Sequence, residues 1–200
     1  MARHAKAKSP RGRPAPSKTT KKTFLIFCEG EKTEPNYFRA FRKGARVEEF
    51  MVFGTGKNTK SLVQEAANLM DKYTEYDEVW CVFDKDSFTS EQFNTAIQKA
   101  RAKNIKVAYS NEAFELWYLL HFRYSDTPSS RTSYKKELSK YLGTEYQKND
   151  LNMYGTLLSL QSIAIRNAKK LEQNHVSNSP AEHNPVTLVY QLVESLNKLE

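Results

Sequence analysis

Residues 24–38 read FLIFCEGEKTEPNYF. The apolar run from Phe24 to Cys28 has the length and composition of a buried β-strand. It changes abruptly at Glu29 into a segment with three glutamates, and Pro35 then fits the first turn of a helix. The stretch therefore predicts a buried strand that ends in a carboxylate and leads directly into a helix.

The same succession of strand and helix recurs along the first part of the chain. Almost continuously apolar runs such as EVWCVF (78–83) are typical of parallel strands covered on both faces. Strand followed by helix, repeated four times, predicts an α/β fold with a parallel sheet of about four strands flanked by helices. The predicted strands are 23–28, 48–53, 78–83 and 105–109.

The pattern changes after Phe122. A polar loop is predicted at 124–133, and further helices are predicted at 134–142, 151–173 and 185–199. We therefore expect three regions: a tail (1–22), an α/β core (23–122) and a C-terminal helical part packed on that core (123–200).

The tail contains eight Lys or Arg and no acid, whereas the rest of the chain has 23 basic and 23 acidic side chains. The whole net charge of +8 therefore lies in the tail. With three prolines and almost no apolar residues, the tail is predicted to be disordered. Its charge favours contact with nucleic-acid backbones, although a purely solubilising role fits equally well.

Other classes of protein are disfavoured by composition. Two cysteines and four scattered histidines give no zinc-ligand spacing, and Cys28 and Cys81 lie in apolar runs that predict buried thiols. No apolar stretch follows the basic residues at the start of the chain, so no signal peptide is predicted. Nor is any apolar run long enough to span a membrane. A cytoplasmic protein is expected.

Carboxylates stand at the ends of three predicted strands: Glu29, then Asp84 and Asp86, then Glu112. Because parallel strands end at one edge of a sheet, these side chains are expected to meet there. In extended backbone Asp84 and Asp86 point the same way. Clustered carboxylates repel one another, so a cation is expected between them, and oxygen ligands favour Mg²⁺ or Mn²⁺.

Alternative roles exist for these acids. Carboxylates at strand ends also cap helices or face water, and Asp86 is placed to cap the helix that follows. Glu115 lies three residues after Glu112 and can face the same edge.

Four segments together resemble the RloB/AbiLii-like family. They are CEGEKTEPNYF, FDKD, SNEAFELWYLLHF and NPVTLVYQLVESL. The resemblance covers about residues 23–199 and implies a Toprim-like fold related to the OLD-type nucleases. It also implies a Mg²⁺- or Mn²⁺-dependent nuclease of an anti-phage or abortive-infection system, acting with an ATPase encoded in the same operon.

The resemblance also implies roles for particular residues. Glu29 matches the Toprim glutamate, Asp84 and Asp86 match its Asp-x-Asp pair, and Glu112 matches the acid of Ser-x-Glu. Glu34 is the candidate second-metal ligand, one residue further along than the pattern. The family's lysine is not fixed: Lys32, Lys169 and Lys170 compete for this role.

Basic segments supply candidate phosphate contacts. The stretch 54–61 (GTGKNTKS) is not a P-loop because Met51 stands where the first glycine is needed. Its backbone and Lys57 still suit a phosphate, with an ordinary turn as the alternative. Arg166, Lys169 and Lys170 form a basic helix face suited to nucleic acid or to water.

Three questions stay open at this stage. DNA and RNA share the phosphate on which such a site acts, so the substrate is not decided. A non-catalytic interaction subunit that binds a structural cation and signals through the ATPase is the alternative function. A homo-oligomer is neither predicted nor excluded.

Overall fold

A mixed five-stranded sheet with helices on both faces forms the centre of the protein. The structure is a computed structural model that describes residues 22–41, 50–56, 59–72, 76–85 and 88–198. The strands are β1 (Phe24–Cys28), β2 (Phe50–Gly54), β3 (Glu78–Asp84), β4 (Lys106–Asn111) and β5 (Val186–Thr187). The helices are α1 (Thr33–Phe41), α2 (Thr59–Lys72), α3 (Ser90–Ala102), α4 (Glu115–Phe122), α5 (Arg131–Leu142), α6 (Met153–Leu157), α7 (Gln161–Gln173) and α8 (Val189–Asn197).

The strand order is β2-β1-β3-β4-β5. The first four strands in this order are parallel, and β5 pairs antiparallel with β4. In register, Cys28 lies beside Val82 and Asp84 lies beside Ser110. The carboxyl ends of β1, β3 and β4 therefore meet at one edge, as the sequence predicts.

Burial explains why β1 and β3 are so apolar. Every residue of both strands is buried, because they are the inner strands of a sheet covered by helices on both faces. The helices α2 and α3 pack together. Right-handed crossovers, which are the rule for parallel strands, would put both on the face opposite α1. The predicted disordered tail (1–22) lies outside the described residues except for Lys22. Lys57 and Asp86, for which roles are predicted, also lie outside them.

Aromatic side chains fill the layer between α1 and α4. The Tyr37 ring centroid lies 5.9 Å from that of Phe114 and 5.6 Å from that of Tyr118, and Phe38 also meets Phe114 edge-on. Trp117 is fully buried in the same layer. The aromatic helix α4 is thus part of the core.

The prediction of a helix starting at Pro185 is wrong, and the sheet is not purely parallel. Residues after Pro185 form β5, and α8 begins only at Val189. The Thr187 hydroxyl lies 2.9 Å from that of Ser110, and Leu188 donates its backbone N–H to the Tyr109 carbonyl at 2.8 Å. A strand of two residues is too short to leave a periodic pattern.

The prediction of a single helix at 151–173 is also wrong. The segment is divided into α6 and α7 by a 3₁₀ turn at Leu158–Leu160. The division lets α6 pack on α1, where the ring centroids of Tyr154 and Phe41 lie 4.5 Å apart. The helix α7 packs on α4 instead. The predicted loop 124–133 ends early, because Ser130 caps α5 by accepting the Ser133 N–H.

Both cysteine thiols are buried, which confirms the prediction of structural cysteines. Burial raises the pKa of Cys81 to about 12 and that of Cys28 well above its usual value. Neither is a reactive thiolate near neutral pH. Within the described ranges, none of the helices is long and apolar enough to cross a membrane.

Replacing Gly54 with alanine tests how tightly β2 fits against the segment after β1. A Cβ there would lie 2.8 Å from Pro35 Cγ, 2.9 Å from Glu31 Cα and 2.9 Å from the Gly30 carbonyl oxygen. Two of these atoms are backbone and cannot move away cheaply. We expect Gly54→Ala to lower the free energy of unfolding by about 1–3 kcal/mol, measured by urea denaturation.

The matched control is Gly155→Ala in α6, where no atom lies within 4 Å of the added Cβ. That substitution should be neutral or stabilise the protein by up to about 1 kcal/mol, because alanine favours helix. Equal effects at the two glycines would contradict the packing described here.

Candidate functional site

A cavity of about 400 Å³ opens at the carboxyl ends of β1 and β3. Its lining combines side chains from both strand ends, from α1 and α4, and from the segment around α5. It contains carboxylates and cations together. The charged lining residues are Glu29, Glu31, Lys32, Glu34, Asp84, Glu115, Arg131 and Lys148.

Glu29 and Asp84 are positioned by the pairing of β1 with β3. The backbone N–H of Glu29 donates to the Val82 carbonyl at 2.9 Å, which continues the strand pairing by one residue. The Glu29 carboxylate in turn accepts the backbone N–H of Asp84 at 3.2 Å. The two predicted ligands therefore stand side by side at the sheet edge.

Asp84 is buried at the end of β3. Its Oδ2 accepts a hydrogen bond from Arg131 at 2.8 Å, whereas its buried Oδ1 has no hydrogen-bond partner among the described residues. Burial raises the pKa of Asp84 well above its usual value, and the Glu34 carboxylate raises it further, while Arg131 opposes both effects. Among the residues that the structure describes, the charge of Asp84 is therefore only partly compensated.

Glu34 reaches the cavity although its spacing differs from the family pattern. It is the second residue of α1 and is buried, with its carboxylate folded back over Gly30. A Cβ on Gly30 would clash with Glu34 Oε2, so glycine leaves room for this carboxylate in its present position. Burial raises the pKa of Glu34, and repulsion by Glu115 adds to the effect.

Glu115 rather than Glu112 lines the cavity. Glu115 lies in the first turn of α4, is 2 % exposed, and has its Oε2 3.7 Å from Arg131 Nε. Glu112 is half-buried and accepts the backbone N–H of Arg131 at 3.3 Å. The acid predicted from Ser-x-Glu thus holds the start of α5, and its neighbour one turn later faces the cavity.

Two basic residues of the cavity, Arg131 and Lys148, were missed by sequence reasoning. Arg131 is the first residue of α5. Lys148 lies in the loop after α5, and its carbonyl accepts a hydrogen bond from the Thr33 hydroxyl at 3.1 Å. Burial lowers the pKa of the nearby Lys135, and the charge of Lys148 lowers it further. Nothing in their local sequence distinguishes these residues from solvent-facing basic residues.

The remaining predicted residues lie elsewhere or outside the described ranges. Lys32 lines the cavity. Arg166, Lys169 and Lys170 lie on α7, and they are not part of the cavity lining. Lys169 binds Glu194 at 2.6 Å, and Lys170 lies 4.3 Å from the centroid of the Tyr124 ring. The structure does not describe Asp86 or Lys57.

The donor set fits a hard divalent cation in its chemistry. Four of the five acids of the cavity, Glu29, Glu34, Asp84 and Glu115, offer oxygen close to the strand ends, and among the described residues Asp84 Oδ1 has no hydrogen-bond partner. Among the residues that the structure describes, no three His, Cys, Asp or Glu side chains come close enough together to hold a metal ion. The Arg131 guanidinium stands between Asp84 and Glu115 instead.

The fold and cavity define an α/β protein with a carboxylate-rich site at the carboxyl edge of a mostly parallel sheet. The chain belongs to the RloB-like protein family, whose model matches residues 24–196. The match extends from β1 into α8 and includes all the charged residues of the cavity. No match was found among curated proteins or among solved structures. The family resemblance inferred from the sequence is confirmed.

Replacing Glu34 with glutamine tests the electrostatic strain of the cavity. Because the pKa values of Glu34 and Asp84 are raised in the folded state, the folded protein binds more protons than the unfolded chain. Stability therefore falls as pH rises from the usual carboxyl pKa through the raised values. In EDTA, Glu34→Gln should reduce this loss and stabilise the protein by about 1 kcal/mol at neutral pH.

Thermal or urea unfolding across pH 4 to 8 measures the effect. Glu31→Gln is the matched control, because Glu31 belongs to the same segment but is exposed. A Glu34→Gln protein that is less stable than the wild type at neutral pH would show that the carboxylate is well compensated.

Proposed function

We propose that this protein is a divalent-cation-dependent phosphodiesterase that hydrolyses nucleic acid. The observation that carries the proposal is the convergence of Glu29, Glu34, Asp84 and Glu115 on one cavity that also contains Arg131 and Lys148. Carboxylates suit the binding of a hard cation, and basic side chains suit the binding of phosphate. A site for phosphodiester hydrolysis needs both.

The cation-binding residues in this proposal are Glu29 and Asp84, with Glu34 and Glu115 completing the set. Asp86 joins them on the argument from sequence alone. Mg²⁺ or Mn²⁺ supplies Lewis-acid activation of the phosphate group. The protein contributes a rigid placement of the acids, because Glu29 accepts the Asp84 N–H and both follow directly on inner strands of the sheet.

The basic residues of the cavity serve the phosphodiester. Lys148 is held next to α1 by the Thr33 hydroxyl, and Lys32 lies at the start of the same helix on the cavity wall. Their charges offset the negative charge that builds up on the phosphate oxygens during hydrolysis. Lys148 replaces Lys169 and Lys170 as the preferred lysine, because those two lie outside the lining of the cavity.

Family membership and topology support the finer parts of the proposal. The parallel order β2-β1-β3-β4, with acids at the ends of β1 and β3, supports a Toprim-like core. An ATPase encoded nearby and a role in anti-phage defence are proposed from the family alone. The cavity chemistry is the same for DNA and RNA, so both are proposed substrates.

A non-catalytic interaction protein is the second candidate. The observation in its favour is the ion pair between Arg131 and Asp84, which already places a positive charge among the acids. In such a protein the charged cavity would serve stability or partner binding. Absence of strand cleavage in the purified protein, with or without cation binding, would favour this candidate.

Replacing Asp84 with asparagine tests the nuclease proposal. The wild-type protein with Mn²⁺ or Mg²⁺ should cleave single- or double-stranded DNA or RNA, scored on denaturing gels. Asp84→Asn removes a central cation ligand and should lower the cleavage rate by about 100-fold or more. Asp126→Asn, at an exposed position away from the cavity, should cleave at the wild-type rate. Cleavage by Asp84→Asn at that same rate would mean that the activity arises elsewhere.

Replacing Lys148 with alanine separates phosphate binding from cation binding. The variant should keep its affinity for Mn²⁺, because the carboxylates remain, and should lose about 100-fold in cleavage rate. Calorimetry and single-turnover cleavage measure the two quantities. Lys140→Ala, on the exposed side of α5, is the control. Full activity of Lys148→Ala would remove this residue from the mechanism.

A further inference from the structure

Arg131 lies at the junction of three acidic elements. Its guanidinium donates to Asp84 Oδ2 at 2.8 Å and has its Nε 3.7 Å from Glu115 Oε2. Its backbone N–H donates to Glu112 Oε1 at 3.3 Å. Ser130 caps the helix that begins at Arg131. The first turn of α5 is therefore tied to β3 and to the segment around the start of α4.

The guanidinium uses oxygens that a cation needs. A divalent cation binds carboxylate oxygens directly, and here Asp84 Oδ2 already accepts the Arg131 hydrogen bond. A cation bound at the unpartnered Asp84 Oδ1 would stand beside the same guanidinium, where like charges repel strongly in a poorly solvated cavity. Cation binding therefore competes with the present position of Arg131.

Arg131 can bind a substrate phosphate on the open side of the cavity when it releases Asp84. Its side chain is 29 % exposed, whereas those of Asp84 and Glu115 are 8 % and 3 % exposed, so it approaches from the open side of the cavity. Lys148 shares that cavity. Arginine binds phosphate through two parallel hydrogen bonds and is always charged, which suits it to hold a phosphodiester.

We propose that Arg131 is a substrate-positioning residue that binds Asp84 and Glu115 in the cation-free protein and transfers to the substrate phosphate when a divalent cation takes those oxygens. The inference rests on the proposed function. It assigns this arginine two successive anionic partners, first a carboxylate and then a phosphate. Cation binding releases the guanidinium from the carboxylates, and the substrate phosphate then binds it. The exchange therefore couples cation binding to substrate binding.

Replacing Arg131 with glutamine should change the affinities for Mn²⁺ and for an oligonucleotide in opposite directions. Arg131→Gln removes the competitor for the carboxylates, so the dissociation constant for Mn²⁺ should fall about tenfold. It also removes a charged phosphate ligand, so the dissociation constant for an oligonucleotide should rise about tenfold. A purely structural arginine would instead weaken both, since its loss would disorder the whole cavity.

The experiment uses the full chain after EDTA treatment. Calorimetry measures Mn²⁺ binding, and fluorescence anisotropy measures binding of a labelled single-stranded oligonucleotide, with DNA and RNA in separate arms and Ca²⁺ as the cation. Lys136→Gln, an equal loss of charge at an exposed position of the same helix, should change neither constant. Arg131→Lys keeps the charge without the planar pair of donors and should show smaller shifts in the same directions.

Each outcome decides the proposal. Tighter Mn²⁺ binding together with weaker oligonucleotide binding supports it. If wild-type protein binds both ligands and Arg131→Gln binds Mn²⁺ no more tightly, the inference is overturned while the proposed function stands. If wild-type protein binds neither ligand, the proposed function fails as well. Should Arg131→Gln not fold, as judged by circular dichroism, Arg131→Lys decides by the same two constants.

Discussion

The ion pair between Arg131 and Asp84 holds together a site that electrostatics would otherwise push apart. Asp84, Glu34 and Glu115 are all buried, and the first two have raised pKa values because burial and mutual repulsion disfavour their charges. A fold can maintain such a group of acids only if positive charge is supplied nearby. Arg131 supplies it from a helix that is remote in sequence, so the sheet edge and the C-terminal helices depend on each other.

The segment after β1 shows how closely backbone and site are matched. Gly30 leaves room for the Glu34 carboxylate to fold back, and Gly54 leaves room for the backbone of Gly30 and Glu31. Two glycines, one in the segment after β1 and one at the end of β2, thus allow one acid to enter the cavity from the first turn of α1. The run of three glutamates that follows the strand divides into a half-buried acid at the sheet edge (Glu29), an exposed residue (Glu31) and a buried acid (Glu34).

Much of this arrangement could be predicted from the sequence, because burial on both faces of a strand leaves a direct mark on composition. The apolar runs ending at Cys28 and Phe83 predicted β1 and β3, and Glu29 and Asp84 were placed correctly at one edge. Arg131 and Lys148 could not be found this way. They meet Asp84 and Thr33 across 47 and 115 residues, and periodicity reports only neighbours within one element. The strand β5 could not be predicted either, because two residues are too few to show a hydrophobic alternation.

The short pairing of β4 with β5 has a consequence for how the protein acquires its structure. Ser110 and Thr187, whose hydroxyls meet across this pair, are 77 residues apart in the chain. Until the later segment arrives, the outer side of β4 presents unpaired N–H and C=O groups of the kind that attract other chains. Closing so large a loop is slow compared with forming the local helices between the two residues. Between synthesis of β4 and docking of β5, this edge of the newly made chain is therefore open to pairing with another chain.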